Sequence, residues 1–401
     1  MLSDSDTTPK APSSVSPVHS VGIQAGQRQT PSLRVALIAP PYLPIPPQGY
    51  GGIERVVDVL ARGLIAQGHD VTVFGAPGST GSYRIITPLR MAPLLGDPAS
   101  VSDELFHVTS AYLEADRFDV IHDHSGMGPA LGSVCSDLIP VVHTLHGPWT
   151  DNAQRFYGLI DHRIHLVAIS KAQRALNPCL HYAGVVYNGV DLDAHPFNAE
   201  KEDFLLFMGR INSEKQPELA IEVARRAKLP LVMIIKRSEP VERDYWNRVV
   251  APRLGSDIAV LDQPPHDEKV KLLGRARAMI FPIDWPEPFG LVMIEAMACG
   301  TPVIARPLGA VPEVVDDGVT GFLCASVDQM VAAVGATESL DPEVCRRRVE
   351  ERFSAHSMVT GYERVYEAAI AESRGSDCLI RRYPRSRPMS TPVSVKASLR
   401  L

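Results

Sequence analysis

Two glutamates lie on either side of a predicted helix start. Glu287 is flanked by prolines, which hold the backbone extended, so the pattern predicts a helix that begins only at about Phe289. Glu295 is then expected two turns inside this helix. The free N–H groups and the positive dipole end of the helix favour an anion such as a phosphate. Since the two carboxylates reach different hydroxyls of one bound molecule, the arrangement suits a polyhydroxylated anion.

Two cations occupy a second junction between a strand and a helix. Arg210 and Lys215 follow a predicted strand at 204–208. Arginine offers a planar fork of donors and lysine offers a point charge, and together they neutralise a diphosphate leaving group that gains negative charge as its bond breaks. The alternative is a surface salt-bridge cluster with Glu214 and Glu218.

A glycine-rich turn separates the first predicted strand, 33–39, from the first predicted helix, 53–67. It contains Gly49, Gly51 and Gly52. Glycines at such a junction let the backbone approach a ligand closely. The turn is not a full dinucleotide-binding fingerprint, so a plain turn is the alternative.

Four histidines follow one another at predicted strand ends: His122, His124, His143 and His146. This many imidazoles could hold a metal ion, which makes a metal-dependent hydrolase a second functional class. That class lacks a matching carboxylate set here. A structural role, with the ring bonded to the backbone, is the alternative for His122 and His143.

Other metal signals in the sequence are weak. Asp191 and Asp193 form an Asp-x-Asp pair, but they follow an Asn-Gly turn whose own chemistry explains them. The six cysteines show no metal-ligand spacing. We therefore predict no metal and no cofactor.

Composition bounds the class of protein. A chain of 401 residues with 45% hydrophobic content can bury two cores, and its alternating strand and helix patterns predict two α/β domains. A net charge of −6 argues against nucleic acid as a partner. No run approaches the roughly 20 apolar residues that span a bilayer. The sparse cysteines and the lack of an apolar signal-peptide core predict a cytoplasmic protein.

The chain divides into five predicted segments. The first is an extension rich in Ser, Thr, Pro and Gln, which we expect to be disordered. Two Rossmann-like domains, a helix that crosses back to the first domain and a basic tail follow it. The predicted boundaries are 1–31, 32–197, 198–356, 357–373 and 374–401.

The tail carries seven Lys and Arg residues against one acid, Asp377. A solvated, disordered end is one interpretation. The other is contact with anionic lipid, where each basic residue near the surface contributes about 1 kcal/mol. The second interpretation would place the protein peripherally at the inner face of the membrane.

The segment around the two glutamates resembles a known signature. Glu287 and Glu295, with seven residues between them, match the pattern of glycosyltransferase family 4, the retaining transferases of the GT-B fold. The run that begins at Gly309 resembles the next block of that family, although Ala310 stands where a second glycine is usual. The resemblance covers about residues 33–370 and implies a GT-B fold, with the active site in the cleft between two Rossmann-like domains.

The resemblance also implies roles for individual residues. Arg210 and Lys215 would grip the diphosphate of the donor, and Glu287 would bind hydroxyls of its sugar. His146 lies in a Thr-x-His-Gly string similar to the family segment whose histidine contacts the transferred sugar. These four are the expected catalytic residues. The expected donor-binding residues are Gly51, Gly52, Phe289, Gly290 and Leu291, with Glu295 on the ribose.

The resemblance implies a hexosyltransferase that moves a sugar from a UDP-, GDP- or ADP-sugar to an unknown hydroxyl acceptor. We expect a metal-independent reaction in the biosynthesis of a glycan, a glycolipid or a metabolite. A nucleotide-sugar epimerase of the same fold, a non-catalytic binding protein and a glycosidase stay open beside the hydrolase. The chain departs from the family at Lys236 and Arg237, where glycine is usual, and these cations would add charge beside the nucleotide or shift the loop.

Overall fold

The computed structural model describes residues 31–94 and 97–382, with side chains as far as residue 373. Two parallel β-sheets, each covered by helices, make up this part of the chain. The predicted disordered extension falls almost wholly on residues 1–30, which lie outside the described residues.

The first sheet has seven parallel strands in the order β3-β2-β1-β4-β5-β6-β7. Its central strands are apolar runs buried on both faces, as parallel sheets covered by helices require. The strands are β1 (Arg34–Ile38), β2 (Asp70–Phe74), β3 (Arg84–Ile86), β4 (Val120–Asp123), β5 (Val141–Leu145), β6 (His165–Ala168) and β7 (Tyr182–Val185). The helices are α1 (Gly52–Ala66), α2 (Ser100–Tyr112), α3 (Gly128–Cys135), α4 (Asp151–Ile160) and α5 (Lys171–Ala175).

The second sheet has six parallel strands in the order β10-β9-β8-β11-β12-β13. Its strands are β8 (Glu202–Arg210), β9 (Leu231–Lys236), β10 (Ile258–Asp262), β11 (Ala276–Phe281), β12 (Val303–Ala305) and β13 (Gly321–Leu323). The helices are α6 (Pro217–Ala227), α7 (Pro240–Tyr245), α8 (His266–Arg275), α9 (Leu291–Ala298), α10 (Val311–Val314), α11 (Val327–Ala336), α12 (Pro342–Arg352) and α13 (Ala355–Arg382). The predicted α/β class with two Rossmann-like sheets is confirmed.

The last helix, α13, packs against the first sheet. Val359, Tyr362 and Tyr366 are buried in the same apolar cluster as strand β1 and helix α1. The helices α1 and α13 approach so closely that a Cβ atom on Gly63 would lie 2.4 Å from Val359 Cγ2. The helix begins two residues before the predicted boundary and continues to Arg382. The rest of the predicted basic tail, 383–401, lies outside the described residues.

No helix in the described part of the chain is both long enough and apolar enough to cross a bilayer. The 28 residues of α13 would have sufficient length, but charged residues are spread along its sequence.

Candidate functional site

The strand order locates a crevice in each sheet. In the first sheet the order reverses between β1 and β4, and in the second it reverses between β8 and β11. Open parallel sheets bind ligands beyond the carboxyl ends of the strands at such a reversal. The loops at these ends carry the glycine turn and the histidines in the first sheet, and Lys215 and Glu287 in the second.

Helix α9 begins later than predicted. Gly290 has a φ of +84°, in the left-handed region, so the first helical residue is Leu291 and not Phe289. Glu295 consequently lies a little over one turn into the helix rather than two. The Phe289 side chain is buried and packs against Tyr187 and Phe353 in the second core. Phe289 therefore anchors the loop, while the first amides of α9 lack partners within the helix.

Lys215 and Glu287 meet in the second domain. Lys215 Nζ forms an ion pair with Glu287 Oε2, and Trp285 Nε1 donates to the same oxygen at 2.9 Å. The ammonium also lies 4.8 Å from the centroid of the Trp285 ring, a cation–π contact. Both side chains are largely buried. Two of the predicted catalytic residues are thus adjacent, and the alternative in which Lys215 joins a surface cluster is wrong.

Arg210 partly follows that alternative. Its guanidinium lies 3.5 Å from Glu214 and 4.0 Å from the buried Glu242. Lys236 is also buried and donates to Glu242 at 3.2 Å, and its ammonium lies 5.2 Å from the ring centroid of Tyr50 in the first domain. The unusual Lys236 is therefore neutralised inside the second domain, beside the cleft.

Glu295 is surrounded by basic side chains. Its Oε1 lies 2.9 Å from Lys269, 3.8 Å from His195 and 3.9 Å from Arg55, and the last of these belongs to α1 of the first domain. Burial alone would raise the pKa of this carboxyl, but the neighbouring cations, Lys269 foremost, hold the pKa well below its usual range. Glu295 is therefore an ionised acceptor, suited to hydroxyl donors.

The loop of Glu287 rests on the 309–310 turn. Gly309 has a φ of +61°, and a Cβ atom there would lie 2.3 Å from the carbonyl oxygen of Glu287. Ala310 donates its backbone N–H to that same oxygen at 2.8 Å and has an ordinary right-handed conformation. Only the first of the two usual glycines is therefore required, and Ala310 is compatible with the close approach.

The first domain brings its glycine turn to this loop. A Cβ atom on Gly51 would lie 2.6 Å from Pro47, and one on Gly52 would lie 3.4 Å from Leu291 Cδ1. Gly52 and Leu291 are the first residues of α1 and α9, so the two helix N-termini lie close together at the cleft. Glu54, in the first turn of α1, is buried, and burial raises its pKa to about 7.

Two of the four histidines are bonded to side-chain hydroxyls, and the other two are bonded to each other. His122 is fixed by Tyr366 and by Thr144, both at 2.7 Å, and His143 bonds to Tyr157 at 2.9 Å. Both rings are therefore held structurally, but by side-chain hydroxyls and not by the backbone as the predicted alternative had it. His124 Nδ1 lies 2.8 Å from His146 Nε2. Within the described residues, no group of three His, Cys, Asp or Glu side chains has a geometry that could hold a metal ion.

His146 lies on the loop that faces Glu287. A small cavity is lined on one side by residues 148–149 of the first domain and on the other by residues 286–288 and Gly309 of the second. Burial lowers the pKa of His146 to about 4, so its ring is neutral near pH 7. A neutral imidazole on this loop can exchange hydrogen bonds with a sugar.

Several residues of the cleft carry no clear sequence signal. Lys269 and His195 become neighbours of Glu295 only through folding, because they come from different elements. Glu313 accepts hydrogen bonds from the first amides of α5, at Lys171 and Ala172. The sequence signal for Glu313 is its place in the run that begins at Gly309, which resembles a block of the family.

Two family models match consecutive parts of the chain. The model described as Glycosyltransferase Family 4 matches residues 50–194, and the model described as Glycosyl transferases group 1 matches residues 191–352. The chain belongs to the group 1 glycosyltransferases of family 4. As such it is a transferase enzyme, and the resemblance found in the sequence is confirmed.

Relatives of this glycosyltransferase differ in what they make. It is 29% identical to the D-inositol 3-phosphate glycosyltransferase of Acidothermus cellulolyticus, over 88% of this chain and 94% of that protein. Its fold is similar to sucrose-phosphate synthase of Thermosynechococcus elongatus, with a TM-score of 0.70 at 20% identity, over 84% of this chain and 99% of the other. A complex of Anabaena HepE with UDP-glucose has a TM-score of 0.60 at 17% identity, over 86% and 100% of the two chains. The GT-B fold is thereby confirmed.

Proposed function

We propose that this glycosyltransferase moves a hexose-type sugar from a nucleoside-diphosphate sugar to a hydroxyl acceptor, with retention of the anomeric configuration. The observation that carries the proposal is the close approach of Gly52 and Leu291, which brings two helix N-termini together beside the Lys215–Glu287 pair. Two positive helix ends and a lysine favour a ligand with several negative charges. The glutamates beside them favour hydroxyl groups on the same ligand.

The diphosphate would lie against Arg210 and Lys215. Lys215 now neutralises Glu287, so a bound phosphate would compete for the ammonium and release the carboxylate toward the hydroxyls of the sugar. The backbone N–H groups of Phe289, Gly290 and Leu291 would donate to the donor, and Glu295 would accept from its ribose. Catalysis by these groups is positioning and charge stabilisation rather than covalent chemistry.

In the proposed reaction the bond from the anomeric carbon to the diphosphate oxygen breaks, and the acceptor oxygen attacks that carbon from the same face. The acceptor proton goes to the departing phosphate oxygen. The nucleoside diphosphate that leaves gains charge, which the two cations stabilise. His146 would contact the sugar beside Glu287.

For the acceptor and for the location of the protein, the proposal names only a general class. Relatives that act on an inositol phosphate and that make sucrose phosphate support a polyhydroxylated acceptor, without choosing among glycan, lipid and metabolite. Contact of the basic tail with anionic lipid at the inner face of the membrane is testable by co-sedimentation with vesicles of phosphatidylserine and phosphatidylcholine. Loss of the sedimented fraction on deletion of residues 383–401 would support it.

The experiment that tests the function is a donor screen with EDTA present. Purified protein is incubated with UDP-, GDP- and ADP-sugars, with and without a pool of polyol and sugar-phosphate acceptors, and free nucleoside diphosphate is measured. We expect release from one donor, and faster release with acceptor. Sugar interconversion without release would indicate the epimerase instead. Release that occurs without EDTA and is lost when EDTA is added would contradict metal independence.

A further inference from the structure

The strongest unassigned feature is the hydrogen bond between two histidine rings. His124 follows β4 and His146 follows β5, so neighbouring strands place the rings side by side, with 2.8 Å between His124 Nδ1 and His146 Nε2. The rings are stacked, with centroids 5.1 Å apart. His124 is 3% exposed, while His146 is half-buried at the cleft.

The two rings share a single hydrogen in this bond. Burial lowers the pKa of His146 to about 4 and lowers that of His124 well below its ordinary value, so both rings are neutral near pH 7 and each carries one N–H. Either His124 Nδ1 donates to His146 Nε2, or the reverse holds. The direction of this bond determines whether His146 Nδ1 carries a hydrogen or a lone pair toward a ligand.

The second ring nitrogen of His124, Nε2, distinguishes the two arrangements. Its Nε2 atom is buried and has no hydrogen-bond partner among the described residues. If His146 were the donor, His124 would carry its hydrogen on Nε2 and bury an orphaned N–H. If His124 is the donor, Nε2 carries only a lone pair. Orphaned buried N–H groups are the rarer case in folded proteins, so the second arrangement is favoured.

We propose that His124 is a positioning residue that donates from Nδ1 and thereby holds His146 as the tautomer with its hydrogen on Nδ1. His146 then presents a hydrogen-bond donor to an oxygen of the nucleotide sugar and has no free basic nitrogen for the acceptor proton. The inference rests on the proposed function for the nature of this ligand. It leaves proton removal to the departing phosphate.

A second layer keeps the pair in place. The His122 ring packs against that of His124, with the two planes tilted by 37° and the centroids 4.0 Å apart. His122 is itself held by Tyr366 of α13 and by Thr144, and Thr144 bonds to Tyr362 of α13 at 2.8 Å. The crossing helix therefore supports the orientation of His124, which supports that of His146.

The direct test is the tautomer of His146, read from long-range ¹H–¹⁵N correlation spectra of the ¹⁵N-labelled protein without ligand. We expect a protonated-type Nδ1 and an unprotonated-type Nε2. The opposite pattern would overturn the proposal. This readout needs no activity, so its failure is distinct from a failure of the donor screen.

Two variants test the link to turnover. His124→Asn keeps an N–H near the Nδ1 position and should keep the tautomer and most of the turnover. His124→Leu removes the donor, and we expect kcat for the screened donor to fall about 100-fold, as misplacement of a catalytic group does, with KM changed far less. The matched control is His143→Gln, which should leave the His146 spectrum unchanged. Equal kcat in the Leu and Asn variants, with both folded by thermal melt, would contradict the role.

Discussion

At the scale of single residues, the buried Lys215–Glu287 pair is the central feature of the cleft. Lys215→Ala should lower kcat by about 100-fold to 1000-fold, the usual effect of removing one group that stabilises a developing anion. Donor affinity should change much less, because the charge on the diphosphate grows only as its bond breaks. Steady-state kinetics with the screened donor measure both quantities.

Because the substitution leaves Glu287 buried without its cation, the melting temperature must be recorded beside the kinetics. Lys271→Ala, on the exposed face of α8, is the matched control and should alter neither kcat nor KM. Equal losses in kcat and affinity for Lys215→Ala would reduce Lys215 to a binding residue.

Glu54 gives a prediction about pH. Its pKa is raised by burial from an ordinary 4.5 to about 7, so the folded protein favours the neutral carboxyl. The free energy of unfolding that Glu54 contributes is therefore fully present below pH 4.5, and it is lost as the pH rises through 7. Glu54→Gln cannot ionise, so at pH 8 it avoids a loss of up to about 3 kcal/mol in the free energy of unfolding.

Thermal melts at pH 5 and pH 8 test this. The melting temperature of Glu54→Gln relative to the wild type should be higher at pH 8 than at pH 5. Glu268→Gln on the surface should show no such difference. A relative melting temperature for Glu54→Gln that is independent of pH would show that Glu54 is ionised at little cost.

At the scale of elements, Gly309 determines where the Glu287 loop sits. A side chain at Gly309 would meet backbone atoms of Pro286 and Glu287, which have no room to move aside. Gly309→Ala should therefore displace the loop and lower donor turnover by about 100-fold, the cost of a misplacement of roughly 1 Å.

The chain offers a close control for this substitution. Gly318 also has a left-handed φ, +70°, but a Cβ atom there would meet nothing within 4 Å. Gly318→Ala should lose about 1 kcal/mol of stability from backbone strain and keep its turnover. Similar activity in the two variants, measured at a temperature where both are folded, would contradict the role of Gly309.

Sequence patterns predicted the elements well and their ends less well. Buried apolar runs gave the strands, because parallel strands covered on both faces must be apolar. The prolines predict the start of α9 at Phe289, because they show where a helix cannot begin. The left-handed turn at Gly290, which delays the start to Leu291, is set by the packing around it. The partners of Glu295 come from α1, α8 and His195, distant segments that no local pattern connects.

At the scale of the whole molecule, side chains of one domain hold the backbone of the other. Glu313 of α10 caps α5 through Lys171 and Ala172 and accepts from Tyr187 at 2.7 Å. These bonds join the two sides of the cleft. Glu313→Ala should weaken binding of the product nucleoside diphosphate by about 10-fold, since a less populated closed state lowers apparent affinity in proportion.

Isothermal titration measures this effect, with Glu268→Ala as the control for loss of one surface carboxylate. Small-angle scattering should show a larger radius of gyration for Glu313→Ala alone. If Glu313→Ala binds as tightly as the wild type, these contacts do not govern closure.

The most direct test of the whole account is hydrogen–deuterium exchange with and without UDP, GDP and ADP at millimolar concentration. The site as described spans both domains, at residues 49–55, 209–216 and 286–295. We predict that one of the three nucleotides slows exchange in all three segments at once. Protection in one domain only, or in none of these segments with any nucleotide, would contradict a nucleotide-sugar site in this cleft.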